Sequence, residues 1–301
     1  MNLRAPTLDD VPAITRLFHR VTGELFGDTD ESEEDVRRFL TSQELDPAED
    51  ARVAEADGGL VGYADVWPHP HPSYWIDVRV APGAGAGAEH ARELLDWSLR
   101  RVRSKGGDHV IAAVWSNDER LQSVFRDAGF ACTRGSYRMR IEFYGEVEEP
   151  RPPDGVQIRS MTPDDAPVAH ATHEETFADI WGYAPMSFED WRHWFLGDDH
   201  DWSLFFLAES DGEAAGVALC RRKPTEPDIA AVRVVGVRRR WRRNGVGRAL
   251  MLHAFREFRR RGMRGAWLGV DAESLTGAQR LYASVGMHVD RESDIFERSL
   301  A

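Results

Sequence analysis

Lysine is nearly missing from this chain. It occurs only at positions 105 and 223, so almost all of the 38 basic residues are arginine. Basic charge as a whole is also in short supply. Asp and Glu total 51, and the formal net charge is -13. A nucleic-acid partner would need a broad basic face, so DNA and RNA are excluded as main ligands. An acidic surface favours cationic or neutral small molecules instead. Cysteine is scarce too, with Cys132 and Cys220 alone. CxxC pairs and Cys/His clusters at metal-ligand spacing are absent, which predicts no metal site and a reducing cytoplasm. Apolar runs of about 18 residues are lacking, and MNLRAPTLDDVPAITRLFHR has no apolar signal core. The expectation is a soluble, cytoplasmic protein without membrane contact.

What is present is ordinary globular material, 42% hydrophobic and 10% aromatic over 301 residues. That length accommodates two domains of about 150 residues, each with its own core. The chain also repeats itself. LRAPTLDDVPAI (Leu3 to Ile14) aligns with IRSMTPDDAPVA (Ile158 to Ala169). VAEADGGLVGYA (Val53 to Ala64) aligns with LAESDGEAAGVA (Leu207 to Ala218), and VFRDAGF (Val124 to Phe130) with LYASVGM (Leu281 to Met287). The three offsets are 155, 154 and 157 residues. Ordered matches at a nearly constant offset predict tandem copies of a whole domain. The Pro- and charge-rich stretch YGEVEEPRPPDG predicts an extended linker, giving domains at 1–145 and 156–301 joined by 146–155.

Each copy reads as a short strand, two helices, a hairpin turning on Asp-Gly (Asp57-Gly58; Asp211-Gly212), and a β-branched strand. A long amphipathic helix, another strand, a short helix and a tail strand follow. Strands alternating with helices predict a mixed α/β sheet. In the second copy the strand Ala230 to Val237 runs into RRRWRRNGVGRAL, Arg238 to Leu250, and then a helix. This strand–loop–helix order makes an anion cradle. Gly245 and Gly247 let an anion approach the backbone, the helix start offers unpaired N–H groups, and Arg242 and Arg243 add charge at the rim. The spacing fits neither a Walker loop nor a dinucleotide fingerprint.

The spacing Arg242-x-x-Gly245-x-Gly247 resembles the pyrophosphate loop of the GNAT N-acetyltransferase family. So does VDAESLTGAQRLYASVGM, Val270 to Met287, which is similar to that family's later motif, with Ser274, Gly277 and Met287 standing where Asn, Ala and Phe are usual. The resemblance implies two tandem domains, each a mixed, mostly antiparallel sheet flanked by helices. It implies acetyl-CoA as cosubstrate and a primary amine as acceptor, with direct acetyl transfer in the second copy. Arg242, Arg243, Asn244, Gly245, Val246, Gly247 and Arg248 would hold the pyrophosphate. Val235, Gly236 and Val237 would face the pantetheine arm and polarise the thioester carbonyl, Ser274 would touch the coenzyme, and Tyr282 would be the general acid. Arg238 to Arg240 would greet the 3′-phosphate or face solvent.

For the general base, Asp228, His173, Glu174, Glu175 and a water chain all stay open. Trp181 and Tyr183 are candidates to line an acceptor pocket beside Glu175, Asp179, Glu189 and Asp190, whereas Trp191 and Trp194 read as core. The first copy keeps Asn117 but has GAGAGAEH without a rim arginine, Glu89 near the helix start, and Phe125 in place of the tyrosine. It reads as a copy that has lost its chemistry. The reading in competition is a non-catalytic acyl-CoA sensor or partner-binding module. The oligomeric state is not legible.

Overall fold

The computed structural model describes every residue except 30, 43, 57, 70–71, 83–86, 197–199, 223–227, 275–276 and 301. The chain forms two compact units, Met1–Gly135 with Glu292–Ala301, and Ser136–Arg291.

The first unit runs β1 (Asn2–Arg4), α1 (Val11–Phe26), α2 (Glu33–Leu40), α3 (Pro47–Asp50), β2 (Ala51–Ala56), β3 (Gly59–Pro68), β4 (Ser73–Val80), α4 (Gly87–Ser104), β5 (His109–Trp115) and α5 (Glu119–Asp127). The rest of the chain adds β6 (Ala131–Glu142), β7 (Gln157–Ser160), α6 (Ala166–Phe177), α7 (Phe188–Phe195), β8 (Phe205–Ser210), β9 (Glu213–Arg222), β10 (Ile229–Val237), α8 (Val246–Arg260), β11 (Gly265–Asp271), α9 (Ala278–Ser284) and β12 (His288–Ser299). The sheet of the first unit is ordered β1-β2-β3-β4-β5-β12, that of the second β7-β8-β9-β10-β11-β6. In each, one parallel pair, β4 with β5 or β10 with β11, interrupts antiparallel neighbours. This is the mixed, mostly antiparallel α/β fold expected from the sequence.

The most visible piece of the repeat has a physical job. Arg4 donates to both oxygens of Asp10 at 2.7 and 2.8 Å and to Glu55 at 2.8 Å, while the Thr7 N–H donates to Asp10 at 2.8 Å. In the second copy Arg159 donates to Asp165 at 2.8 and 2.8 Å and to Glu209 at 3.0 Å, and Thr162 N–H to Asp165 at 2.7 Å. One arginine thus ties a capped helix start to the second strand of the sheet. Hydrogen bonds from Arg4 hold the Asp10 carboxyl down at about 2, and Arg159 lowers Asp165 likewise. The helix that follows buries Val11, Ile14, Leu17, Phe18 and Val21, a 3.6-residue stripe, and stops at Gly27, whose φ of 76° is a left-handed cap.

Each sheet is covered on both faces. In the first unit α4 and α5 bury Leu94, Leu95, Leu99, Val124 and Phe125 on one side, and α1 and α2 pack with Tyr63 on the other. In the second unit α8 lays Leu250, Phe255 and Phe258 on one face, while α6 and α7 cover the other with Ala169 and Trp191. Replacing a buried ring such as Phe258 with Ala costs roughly 3–5 kcal/mol. The second hairpin turns on Asp211 (φ 51°) and Gly212 (φ 78°), the two positive angles of a type I′ turn. Asp57 of the matching turn lies outside the described residues.

The tail strands depart from the expectation of two consecutive halves. Ser293–Ser299 of β12 pairs antiparallel with β5, and Phe296 packs against Phe125 in the first core. Ser136–Glu142 of β6 pairs with β11, and Phe143 packs on Phe255 in the second core. Each unit therefore completes its sheet with the strand that ends the other repeat. The segment after β6 has no helix or strand until β7. It is pinned to α8 by Arg248 donating to Glu148 at 2.6 Å and Arg259 to the Gly145 carbonyl at 3.3 Å.

Candidate active site

β10 and β11 pair in parallel over Ile229–Ala231 and Gly265–Trp267, and no further. Beyond that point one edge of β10 presents its backbone to a gap. On its other side β10 pairs with β9, but the register slips between Val232 and Val234. Arg233 is the extra residue, a β-bulge that bends the strand and turns its last residues. The Arg233 guanidinium reaches α7, donating to the Trp194 carbonyl at 2.5 Å and lying 4.5 Å from the centre of the Phe195 ring. Past the bulge come Val235, Gly236 and Val237, registered against Ala218, Val217 and Gly216. Glycine is demanded at 236, because a Cβ there would stand 2.3 Å from Thr176 Oγ1 on α6.

The loop after β10 is shaped for an anion. Gly245 caps α8 with φ 88°, and no side chain closes the cap. Ala249 makes the first intrahelical bond, to Gly245 O at 3.0 Å, so the Val246, Gly247 and Arg248 amides lack partners within the helix. A Cβ on Gly247 would meet Leu281 at 3.0 Å and Val237 at 3.4 Å, so the helix start, the end of β10 and α9 converge there. Arg243 and Asn244 are exposed, and Arg243 adopts φ 65°, a left-handed conformation costly for a non-glycine residue.

The arginines around this loop are mostly spoken for. Arg239 and Arg242 both donate to Asp179, at 2.5 and 2.8 Å, and they hold its carboxyl down at about 2. Arg242 also donates to Val237 O at 2.9 Å, so it staples β10 to the end of α6 rather than standing at the rim as the sequence suggested. Arg238 pairs with Glu175 and Arg240 with Glu213, while Arg248 takes Glu148. Among the described residues Arg243 is the one arginine of the six without a protein partner.

Tyr282 sits on α9, 8% exposed, within the α8 core cluster. Burial pushes its hydroxyl up to about 12, and among the described residues the hydroxyl has no hydrogen-bond partner. Ser274 closes the turn after β11, its N–H donating to Asp271 O at 3.2 Å.

The general-base candidates separate. Asp228 stands before the first residue of β10, at the end opposite the loop, and is paired with Arg264. That is about nine residues of strand, roughly 30 Å, from Val237. Glu175 pairs with Arg238. His173 is buried against Phe177, Tyr183 and Phe195, and desolvation takes it down to about 4, so it is neutral at pH 7. Glu174 accepts from the Tyr183 hydroxyl and the Met186 N–H, clipping the loop between α6 and α7. Tyr183 thus belongs to the loop's own support, Trp181 is 38% exposed, and Trp191 is fully buried core.

The first unit has the same parallel split, ending at Ile76 and Ala112. Its β3–β4 register runs without a slip from Gly62/Val80 to Pro68/Tyr74, so the bulge is absent. Phe125 is buried core against Phe130 and Phe296, and Asn117 donates to the Leu25 carbonyl at 2.8 Å. Of the loop GAGAGAEH, residues 83–86 lie outside the described residues. Among the described residues no group of three His, Cys, Asp or Glu side chains is placed to hold a metal, and no helix is long and apolar enough to cross a membrane.

The second unit thus sets an uncapped helix start beside a split sheet, an arrangement that can seat an anion next to an open strand edge. Comparison with known proteins agrees: residues 167–287 match the acetyltransferase (GNAT) family and residues 1–131 the acetyltransferase (GNAT) domain. The chain belongs to the GNAT family, and it is an acetyl-CoA-dependent acetyltransferase. It is 30% identical to the mycothiol acetyltransferase of Thermobispora bispora over 240 residues, 75% of this chain and 76% of that one. It is 31% identical to the mycothiol acetyltransferase of Streptomyces avermitilis over 263 residues, 82% and 79% of the two chains. Among solved structures, a GCN5-related N-acetyltransferase from Sphaerobacter thermophilus superposes with a TM-score of 0.86 at 28% identity, over 99% of this chain and 95% of the other. A tandem GNAT protein from the clavulanic acid pathway superposes at 0.78 with 14% identity, over 100% and 98%, a likeness of fold.

Proposed function

We propose that this chain transfers the acetyl group of acetyl-CoA to a primary amine, and that the reaction runs in the second unit. The observation that carries this reading is a coincidence of parts. The Arg233 bulge of β10, the uncapped start of α8 after that strand, and the Tyr282 helix α9, whose Leu281 meets Gly247, all belong to the second unit, and the first unit has neither bulge nor tyrosine. In this reading the coenzyme pyrophosphate takes the Val246, Gly247 and Arg248 amides with Arg243 and Asn244 at the rim. The pantetheine arm lies along the open edge of Val235–Val237, and a backbone N–H there polarises the carbonyl. Arg242 acts by holding β10 and α6 together, and Ser274 borders the coenzyme.

The amine nitrogen attacks the thioester carbon, a C–N bond forms and the C–S bond breaks. Tyr282 gives its proton to the leaving thiolate, and the proton lost by the amine passes to water. A hydroxyl held at about 12 stays protonated throughout the working range, as a general acid must. The names of the relatives point to an amine of the mycothiol class as the first acceptor to test. Acetyl-CoA with the unacetylated amine precursor of mycothiol and with a panel of simple amines, followed by formation of the acetylated amine and release of coenzyme A, tests the reading. Coenzyme binding without thiol release from any amine would instead favour an acyl-CoA sensor.

A further inference from the structure

The first unit carries a cavity beside its split whose lining includes carboxylates and tryptophans. The face of β3 and β4 toward α1 bears Tyr63, Asp65 and Trp67 directly opposite Arg79, Asp77 and Trp75. The registered counterparts in the second unit are Val217, Leu219 and Arg221 opposite Gly236, Val234 and Ala231. Leu219 and Val234 therefore suffice where the first unit has Asp65 and Asp77, and burying the Asp65 carboxylate adds a cost that stability does not require.

Next to that face is a cavity of about 250 Å³, in the gap where β4 and β5 part. Trp67, Trp75 and Trp115 line it together with Asp77, Arg79 and Asp118. Its volume equals roughly eight water molecules in the liquid, enough for a small organic molecule. Asp65 is 3% exposed, and its neighbours on that face, Trp67, Trp75, Asp77 and Arg79, are the cavity lining. The Asp65 carboxyl accepts from the Tyr63 hydroxyl at 2.9 Å and has the Trp67 side chain as its other donor, with no cation paired to it. Glu31 has an orphaned oxygen. Arg79 is the lone guanidinium of the group, and it is used up. It donates to Asp77 at 2.7 Å and Glu31 at 2.5 Å, and it lies 4.0 Å from the Phe18 ring centre. Three carboxylates against one cation leave the cluster short of positive charge. Aromatic walls with unmatched carboxylates are the surroundings that recognise an ammonium group.

We infer that the cavity of the first unit is a binding site for a small organic cation, its ammonium group set against Asp77, with Asp65 behind it on the same face, and its apolar part between the tryptophans. This site is independent of the location of acetyl transfer. Benzylamine and its uncharged analogue benzyl alcohol are suitable probes, with tryptophan fluorescence and peptide-resolved hydrogen exchange as readouts on the full chain. The expected result is saturable binding of benzylamine, at least about tenfold tighter than the alcohol, with protection of residues 73–80 and 109–115. Asp65→Asn and Asp77→Asn are each expected to weaken it about tenfold or more, and Tyr282→Phe to leave it unchanged. If either variant fails to fold, the comparison of amine and alcohol on the parent chain still decides. Equal affinity for the alcohol, protection confined to the second unit, or unaltered binding by the folded variants would each overturn the inference. Protection of those strands by coenzyme A and not by benzylamine would assign the cavity to the thioester arm and overturn it as well.

Discussion

The two units share an ancestor's scaffold and have put their polar groups in different places. In the second, the strand beside the split is apolar and bulged, and charge collects on the loop beyond it. In the first, the strand is regular, Asp77 and Arg79 stand half-buried on its face, and Asp65 is buried beside them on β3. The lesson is that one sheet supports either arrangement, since the helices on both faces bury the remaining residues equally well.

The largest effect expected from breaking this contrast is at Tyr282. Tyr282→Phe should lower kcat about 10²-fold or more with little change in KM for acetyl-CoA, and Phe125→Tyr should restore nothing. Steady-state thiol release measures both. An unchanged kcat would remove Tyr282 from the chemistry. Next comes Gly236→Ala. Its Cβ would collide with Thr176, so α6 must move off β10 at a cost of about 1–3 kcal/mol, read by thermal denaturation together with reduced activity.

The third is the cost of burying Asp65. Desolvation and the neighbouring Asp77 raise its carboxyl from 3.8 to about 7. A raised acid favours the folded state only while protonated. Its stability is fully present below about pH 4 and is lost as pH climbs towards 7. Asp65→Asn should therefore raise the melting temperature on the order of 5 °C at pH 8 and have no effect at pH 4. A smaller effect is expected at the loop. Arg243→Ala should raise KM for acetyl-CoA several-fold at constant kcat, whereas Arg240→Ala, whose partner is Glu213, should not. The smallest separates the units least, because both share it. Asp10 is depressed from 3.8 to about 2, so its contribution is present above pH 4 and fades as pH falls through 2. Asp10→Asn should flatten the acid limb of the unfolding curve, and Asp165→Asn should do the same.

Much of this was legible beforehand because it is local. The Arg, Thr and Asp-Asp of each repeat mark a helix cap, and Asp211-Gly212 marks a I′ turn. Gly245 and Gly247 mark a helix start open to an anion. The illegible parts join distant residues. Arg242 was expected at the rim but turns to Asp179, 63 positions away. The bulge at Arg233 shows only when β10 is laid against β9, and no residue type announces it. The Asp65 and Asp77 cluster was missed because alternate positions in two strands look unremarkable until the hairpin pairs them.

The sequence by itself determined the doubling, the order of strands and helices, and the arginines that set one copy's glycine loop apart, since each depends on neighbours within a turn or a strand. Tertiary structure alone decided which tail strand completes which sheet, which arginines are neutralised, and where carboxylates are buried. Those outcomes depend on pairing across the fold, where burial makes a charge seek whichever partner the packing brings within reach.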